Sequence, residues 1–312
     1  MVVVLGPTAT GKSDLGVELA LHLGGEVLNA DAMQLYRGMD IGTAKLTPAQ
    51  RRGVPHHLLD VLEVTETASV AAFQRAARAI VERLLAADRV PVLVGGSALY
   101  LRAVFDELSF PGTDPVVRAR LERELAERSP AELHRRLAGL DPAAAQAVLP
   151  SNDRRIVRAL EVIEITGRPF SAQLPVPGPP RYDAVLLGLE APTEVLDRRI
   201  AERVDRMFAA GLVEEVRSLT ELGLRRGRTA SRAVGYQQVL AELDGAGSGA
   251  GSGTGSWQRA AEETARATRR LVRRQRSWFR RDDRIHWLDA TDDPLGNALR
   301  VLHDAPGPAL VR

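Results

Sequence analysis

Cysteine is absent from the sequence, and its absence excludes disulfide bonds, cysteine-ligated zinc and thiol nucleophiles. Histidine is sparse and shows no H-E-x-x-H or other metal-ligand spacing, so we predict no transition-metal site. The six histidines are His22, His56, His57, His134, His286 and His303. The adjacent pair His56 and His57 follows Pro55, and we predict that it lies in a polar loop.

Long apolar runs are also missing. None reaches the roughly 18 residues that a membrane span requires. The apolar start ends at Gly6 and has no basic segment before it, so we interpret it as a strand rather than a signal peptide. We therefore expect a cytoplasmic protein without a membrane partner. No interface pattern stands out, and a monomer is the default expectation.

Lysine is scarce, because Lys12 and Lys45 are the only two among 42 basic residues. The formal net charge is only +2, but the charge is unevenly placed. Ten arginines lie between Arg259 and Arg284, against four acidic residues in the same stretch. A basic end on a nearly neutral chain predicts a polyanionic partner that binds one face.

Apolar, β-branched runs alternate with helical patterns at the start of the chain. Residues 2–5, 26–30 and 90–95 are predicted strands, with helical patterns at 13–23 and 70–87 between them. This alternation predicts an α/β fold with a parallel sheet covered on both faces. Ligands bind beyond the carboxyl ends of such strands. The segments after the three strands should therefore face one crevice.

The middle of the chain predicts an insertion into this core. From residue 114 the pattern is helical and charged, and a proline-rich connector at 175–180 precedes a strand at 184–190. We predict a core of residues 1–113 and 182–312, with an arginine-rich helical part near its end. Residues 114–181 form the predicted helical insertion domain. Glycine and serine fill residues 245–256, which we interpret as a mobile loop without a functional role.

The segment GPTATGKS follows the first strand and has the spacing of a phosphate-binding loop. Backbone N–H groups of such a loop, together with the positive end of the next helix, surround an anion. Lys12 adds a positive charge, and the Ser13 hydroxyl is placed to bind Mg²⁺. The predicted phosphate-binding residues are Gly6, Pro7, Thr8, Ala9, Thr10, Gly11, Lys12 and Ser13.

The third strand weakens the usual assignment of this loop to ATP. Many phosphotransferases carry an acidic residue there that helps to hold the metal, whereas this strand ends in Gly95, Gly96 and Ser97. The available acid is Asp31, after the second strand. It could act as a general base, assist a metal ion, or simply cap a turn.

The stretch DAMQLYRGMDIGTAK, residues 31–45, resembles the tRNA dimethylallyltransferase family, also called tRNA isopentenyltransferases. The family pattern is D-S-x-Q-x-Y-x-G-M-D-I-G-T-A-K-P, and this chain has Ala32 and Leu46 in place of its serine and final proline. The resemblance continues in order through PHHLLD, LVGGSALYLRA, DPVVRARLE, RALEV, SRAVGYQQ and ATRRLVRRQRSWFRR.

The resemblance implies a P-loop NTPase-like fold whose loop holds the diphosphate of dimethylallyl diphosphate, with no ATP consumed. It also implies a Mg²⁺-dependent transfer of the dimethylallyl group to N6 of the adenosine adjacent (3′) to the anticodon in tRNA. Asp31 is then the candidate base. Ser97, which stands where the family has threonine, and Arg232 would act on the diphosphate.

The resemblance also implies which residues contact the anticodon stem-loop of tRNA. Gln34 has an amide that can read an adenine edge. The predicted tRNA-binding residues are Asp31, Ala32, Met33, Gln34, Ser97, Arg118, Arg154, Arg155, Arg158, Arg232, Gly235 and Tyr236. The segment NDRRIVRAL is one residue shorter than the family's N-D-P-x-R-x-x-R-A-L, which leaves the assignment among its arginines open.

The arginines from Arg266 to Arg281, with two aromatic residues among them, suit a surface for the RNA backbone. A charged amphipathic helix packed through Leu271 and Trp278 would have the same pattern. Three other functions compete with tRNA prenylation: an ATP-dependent phosphotransferase, a prenyltransferase for free adenine nucleotides, and a non-catalytic RNA-binding module.

Overall fold

The computed structural model describes residues 1–108, 110–171, 178–246 and 254–305. It divides into two compact units, Met1–Phe105 with Pro180–Arg312, and Asp106–Pro179. The domain boundaries predicted from the sequence lie after residues 113 and 181, and they stay a prediction. Residues 175–177 of the proline-rich connector and the centre of the glycine–serine stretch lie outside the described residues.

A parallel sheet forms the centre of the first unit, in the strand order β3-β2-β4-β1-β5-β6. The strands are β1 (Val2–Leu5), β2 (Glu26–Asn29), β3 (His56–His57), β4 (Pro91–Gly95), β5 (Val185–Glu190) and β6 (Ile285–Asp289). In the centre, Val3 of β1 pairs with Leu93 and Leu186 on its two sides. The predicted parallel α/β sheet is confirmed.

Helices connect the strands and form the second unit. In chain order they are α1 (Lys12–His22), α2 (Val70–Ala86), α3 (Ala98–Phe105), α4 (Pro115–Glu127), α5 (Pro130–Leu140), α6 (Pro142–Ala147), α7 (Asp153–Thr166), α8 (Thr193–Ala209), α9 (Leu212–Glu221), α10 (Tyr236–Ala246), α11 (Thr254–Phe279) and α12 (Pro294–Asp304). Helices α4 to α7 belong to the second unit. Within the described ranges no helix is both long and apolar enough to cross a membrane.

Alternate residues of the central strands pack into two apolar clusters, one on each face of the sheet. Val2 and Val4 of β1 pack with residues of α1, α8, α11 and α12. Val3 and Leu5 pack instead with residues of α2 and α3. All four β1 residues are buried, as expected for a central strand with both faces covered.

The pair His56–His57 was predicted to lie in a loop, and this prediction was wrong. The two residues form β3, which pairs with Val27 and Leu28 of β2. His57 Nε2 lies 2.7 Å from Glu26 Oε2, and burial lowers the pKa of His56. A strand of two polar residues has no apolar period by which the sequence could reveal it.

The second unit has its own apolar core, in which Leu121, Leu133 and Leu137 are buried. Glu161 of α7 is also fully buried there, and it forms ion pairs with Arg118 and Arg158. A buried carboxylate needs such partners, because an unpaired charge is costly away from water.

Gly95, at the end of β4, has no room for a side chain, since a Cβ atom there would lie 2.6 Å from the Ala30 carbonyl oxygen. We expect Gly95→Ala to lower the free energy of unfolding by about 1–3 kcal/mol, because backbone must move to make space. Urea unfolding measures this change. The control is Gly139→Ala in α5, where a Cβ would meet nothing within 4 Å; equal effects of the two substitutions would contradict the expectation.

Candidate active site

A cavity of about 920 Å³ lies at the carboxyl end of the sheet. The segments that follow β1, β2 and β4 meet there, as predicted from the sequence. Its wall includes residues 8–13 of the phosphate-binding loop, Asp31, Gln34, Gly95 and Gly96. Elements from farther along the chain complete the wall, among them α8 and the segment around Thr43.

The phosphate-binding loop turns sharply out of β1. Gly6 has φ +144°, and a Cβ atom there would lie 2.5 Å from the Leu189 carbonyl oxygen, so the loop packs directly on β5. The Thr10 hydroxyl donates to the Pro7 carbonyl at 2.9 Å. Helix α1 begins at Lys12, so its positive N-terminal end lies at the cavity wall.

Lys12 Nζ donates a hydrogen bond to the Pro7 carbonyl at 2.5 Å. The pKa of Lys12 is lowered to about 7, mainly by burial and also by the positive charge of Arg203, while the charge of Asp31 opposes both effects. A partly desolvated cation at this position favours a bound anion.

Asp31 lies in a tight turn after β2. Its Oδ1 accepts a hydrogen bond from the Met33 N–H at 2.9 Å, and its own N–H donates to Asn29 Oδ1 at 2.9 Å. Nothing in the described ranges hydrogen bonds to Oδ2. The carboxylate therefore caps a turn with one oxygen, while the other oxygen can accept a proton from a ligand.

Gln275 of α11 forms hydrogen bonds to two of the three segments that meet at the cavity, those after β1 and β4. Its Oε1 accepts from the Thr8 N–H, and its Nε2 donates to the Gly96 carbonyl, both at 2.9 Å.

Ser97 is not part of the cavity wall; its hydroxyl oxygen accepts a hydrogen bond from the Ala32 N–H at 3.4 Å. Ala32 and Met33, also predicted to bind tRNA, are half-buried outside the wall.

The Met-Asp-Ile-Gly-Thr segment is fixed by a carboxylate from α9. Glu215 accepts hydrogen bonds from the N–H groups of Asp40, Ile41 and Gly42 at 2.7–3.2 Å. The Tyr236 hydroxyl donates to the same carboxylate at 2.5 Å. This arrangement presents the Thr43 carbonyl to the cavity side, where Gln34 Nε2 donates to it at 3.2 Å.

Three arginines of α8 that sequence reasoning missed line the cavity: Arg199, Arg203 and Arg206. Arg199 donates to the Ala9 carbonyl at 3.4 Å, and Arg203 donates to the Thr43 carbonyl at 3.3 Å. Their spacing of four and three residues puts them on one helix face. That spacing was visible in the sequence, but no motif distinguishes it from a solvated face.

Arg232, Gly235 and Tyr236 do not line the cavity. Arg232 is exposed in a 3₁₀ turn, Ala230–Arg232. Gly235 has φ +94° and donates its N–H to Gln238. Tyr236 is fully buried, and burial followed by the charge of Glu215 raises the pKa of its hydroxyl. The structure thus gives Tyr236 a packing role, and the tRNA contact of these three residues stays a prediction.

The arginines of the second unit that are predicted to bind tRNA differ in exposure and in their protein partners. Arg154 and Arg155 are exposed at the start of α7. Arg118 pairs with Glu161, and the same pair raises the pKa of Arg118. Arg158 also donates to the carbonyls of Pro111 and Gly112. Their tRNA contacts stay a prediction.

Helix α11 carries the arginine-rich segment as predicted, and two groups of arginines, in the helix and directly after it, differ in their partners. Arg276 and Arg280 pair with Glu190. Arg270, Arg274 and Trp278 are exposed, four residues apart, and the two arginines form no ion pair in the described parts of the chain. This second group forms a cationic face with an aromatic ring.

We expect Glu215→Gln to destabilise the protein by about 1–3 kcal/mol, because one of two oxygens that accept four hydrogen bonds is replaced by a donor. Urea unfolding measures the change. Glu214→Gln is the matched control, since Glu214 is the exposed neighbour on α9. Equal stability of the two variants would mean that the Glu215 contacts contribute nothing net.

We expect sulfate to bind the loop most tightly below pH 7 and to weaken above it by up to about tenfold per pH unit. The sign follows because Lys12, with its pKa lowered to about 7, loses its charge as the pH rises. Calorimetry between pH 6 and 9 measures the affinity. His56 also lines the cavity, but its lowered pKa leaves it neutral over most of this range. Lys12→Gln should flatten the profile, and a persisting slope would assign the titration elsewhere.

Comparison with known proteins supports the resemblance seen in the motifs. The model of the IPP transferase family matches residues 34–282. A tRNA dimethylallyltransferase of Saccharopolyspora erythraea is 68% identical over 304 residues, which is 97% of this chain and 96% of that protein.

Solved structures are similar over the same length. The crystal structure of a tRNA isopentenylpyrophosphate transferase from Bacillus halodurans is 38% identical with a TM-score of 0.66, covering 93% of this chain and 89% of that chain. A eukaryotic dimethylallyltransferase, crystallised acting on tRNA, is 25% identical with a TM-score of 0.78, covering 98% of this chain and 76% of that chain. The family match and the high identity of these relatives show that the chain belongs to the IPP transferase family.

Proposed function

We propose that the protein transfers a dimethylallyl group from dimethylallyl diphosphate to N6 of the adenosine adjacent (3′) to the anticodon in tRNA, releasing diphosphate. One observation carries the proposal: a phosphate-binding loop and the carboxylate of Asp31 line the same cavity in a member of the IPP transferase family. The substrate points to a cytoplasmic location, and a monomer stays a prediction.

The loop holds the diphosphate in this proposal. Negative charge builds on the leaving group as its bond to the allylic carbon breaks, so donors already aimed at that position lower the barrier. The backbone N–H groups of the loop, the N-terminus of α1 and Lys12 are such donors. The cavity also keeps water from an allylic centre with cationic character.

Ser13 fits a magnesium ion bound together with the diphosphate. Its side chain lines the cavity, and its hydroxyl forms no hydrogen bond within the described ranges. Those ranges hold no group of three or more His, Cys, Asp or Glu that could bind a metal alone. Magnesium commonly takes one protein oxygen together with substrate phosphate oxygens. When bound, it would neutralise charge on the leaving diphosphate.

Asp31 removes the proton from the nucleophile. The adenosine N6 is a poor nucleophile because its lone pair is delocalised into the ring, so proton removal during bond formation is needed. Oδ2 of Asp31 accepts this proton, while Oδ1 keeps its hydrogen bond to Met33. Gln34 lines the same cavity and reads the adenine edge with its amide.

The tRNA is held by exposed arginines. The face of α11 with Arg270, Arg274 and Trp278 binds the phosphate backbone and carries no sequence information. Arg154 and Arg155 of the second unit do the same. The target base must leave its stack to enter the cavity, which costs only a few kcal/mol in a single-stranded loop.

The test is a labelling experiment with radiolabelled dimethylallyl diphosphate and Mg²⁺. Unmodified tRNA with adenosine beside the anticodon, AMP, and ATP without prenyl donor are supplied in separate reactions. Label in tRNA alone supports the proposal. Label in AMP assigns the activity to free nucleotides, and ATP hydrolysis without transfer of label assigns the loop to a phosphotransferase.

We expect Asp31→Asn to lower kcat for prenyl transfer by at least about 100-fold, because the general base is lost. Asparagine can still cap the turn through its carbonyl oxygen, so the fold is retained. Affinity for inorganic diphosphate should change less than about twofold, since that ligand is held by other residues. Wild-type kcat in this variant would remove Asp31 from the role of base.

A further inference from the structure

The pairing of β1 with β4 ends just before the cavity. The last paired residues of the two strands are Leu5 and Gly95. Thr8 of the phosphate-binding loop lies three residues beyond that point, and Gly96 lies one residue beyond it. The pairing of the strands therefore does not by itself fix the separation of the loop from the segment after β4.

The side-chain amide of Gln275 supplies the next link. Its Oε1 accepts a hydrogen bond from the Thr8 N–H, and its Nε2 donates one to the Gly96 carbonyl, both at 2.9 Å. A glutamine amide offers the same kind of acceptor and donor as a peptide group, so it can continue a backbone ladder after the strands diverge. The two partners also fix which way the amide points, because one can only donate and the other can only accept.

Helix α11 holds Gln275 at a fixed place on the sheet. Val272 packs into the apolar cluster on one face of the sheet, and Phe279 packs into the cluster on the other face. Between them, Arg276 donates to the Thr193 hydroxyl at 2.8 Å and pairs with Glu190 at the end of β5. A side chain on such a supported element can position the groups that it binds.

The segment after β4 in turn supports the turn that contains Asp31. The Ala30 N–H donates to the Val94 carbonyl at 2.8 Å, and the Ala32 N–H donates to the Ser97 hydroxyl at 3.4 Å. Asp31 is thus held on both sides by β4 and the residues that follow it. Gln275 connects this assembly to the phosphate-binding loop.

The proposed reaction needs both of these segments at once. The C–O bond of the donor breaks with its electron pair on the diphosphate, which the loop holds. The allylic carbon bonds to the adenosine N6, and the N6 proton goes to Asp31. The reacting atoms meet only if the loop and the Asp31 turn keep the correct separation, and a misplacement of about 1 Å can cost about 100-fold in rate.

We propose that Gln275 is a positioning residue for prenyl transfer, whose amide sets the separation between the phosphate-binding loop and the turn that carries Asp31. The inference rests on the proposed function. Gln275 is half-buried and does not line the cavity, so it acts through the backbone of Thr8 and Gly96 and not by touching substrate.

The test compares steady-state prenyl transfer by the wild type, Gln275→Met and Gln258→Met. Methionine keeps the length of the side chain and removes both hydrogen bonds. Gln258 is the matched control, since it is an exposed glutamine on the same helix. Urea unfolding confirms that each variant is folded under the assay conditions.

We expect Gln275→Met to lower kcat at least about tenfold, because the two segments lose their fixed separation. The KM values for dimethylallyl diphosphate and tRNA, and the affinity for inorganic diphosphate, should stay within about threefold, because the residues that bind each substrate are retained. Gln258→Met should match the wild type. A purely packing role of Gln275 would change the free energy of unfolding without this division between kcat and KM.

Gln275→Asn is the second variant, in case the methionine variant does not fold. It keeps the amide but is one methylene shorter, so it cannot reach both partners, and we expect kcat to fall at least about fivefold. Wild-type kcat in either folded variant overturns the proposal. A diphosphate affinity that falls as far as kcat also overturns it, because Gln275 would then shape the anion site alone.

Hydrogen–deuterium exchange tests the bridge without any turnover. We expect Gln275→Met to speed exchange of the Thr8 amide, since that N–H loses its acceptor. If the wild type transfers no label to tRNA but this exchange becomes faster, the bridge stands and the proposed function is wrong. If the wild type prenylates tRNA and the variant keeps its kcat, the proposed function stands and the positioning role is wrong.

Discussion

The cavity depends on two glycines, Gly6 and Gly96, at which the backbone packs too closely for any side chain. Gln275 can bridge Thr8 and Gly96 only because residue 96 is a glycine, where a Cβ atom would lie 2.5 Å from Gln275 Nε2. A glycine is also needed at position 6, where the loop packs on β5. These contacts hold the loop after β1 and the turn after β4 at a fixed separation, and α11 supplies the glutamine that joins them.

A second set of contacts supports the other side of the cavity. Glu215 and Tyr236 hold the segment before Thr43, and the Thr43 carbonyl in turn orients Gln34 and Arg203. Gly42 lies against the Tyr236 ring, where a Cβ would come within 2.3 Å. Packing and amide hydrogen bonds therefore hold the Met-Asp-Ile-Gly-Thr segment in place beside the cavity.

Much of the site could be predicted from the sequence because its determinants are local. Short spacings or the end of an apolar run mark each of these elements in the sequence: the loop, Asp31, Gln34 and the double glycine after β4. The α8 arginines were missed because their relation to the loop is set by the sheet order, which places β5 beside β1. The carboxylate of Glu215 was missed because its three backbone N–H partners lie more than 170 residues away in the sequence.

The scarcity of lysine has a chemical consequence. Both lysines line the cavity, and Lys45 is only 3% exposed and held between two carboxylates. Lys12 is more accessible, and because its pKa is lowered to about 7, part of it is an uncharged, nucleophilic amine at neutral pH. Among the side chains, an amine-reactive reagent therefore meets a single reactive target, and the yield of that one acylation reports directly on whether an anion fills the loop.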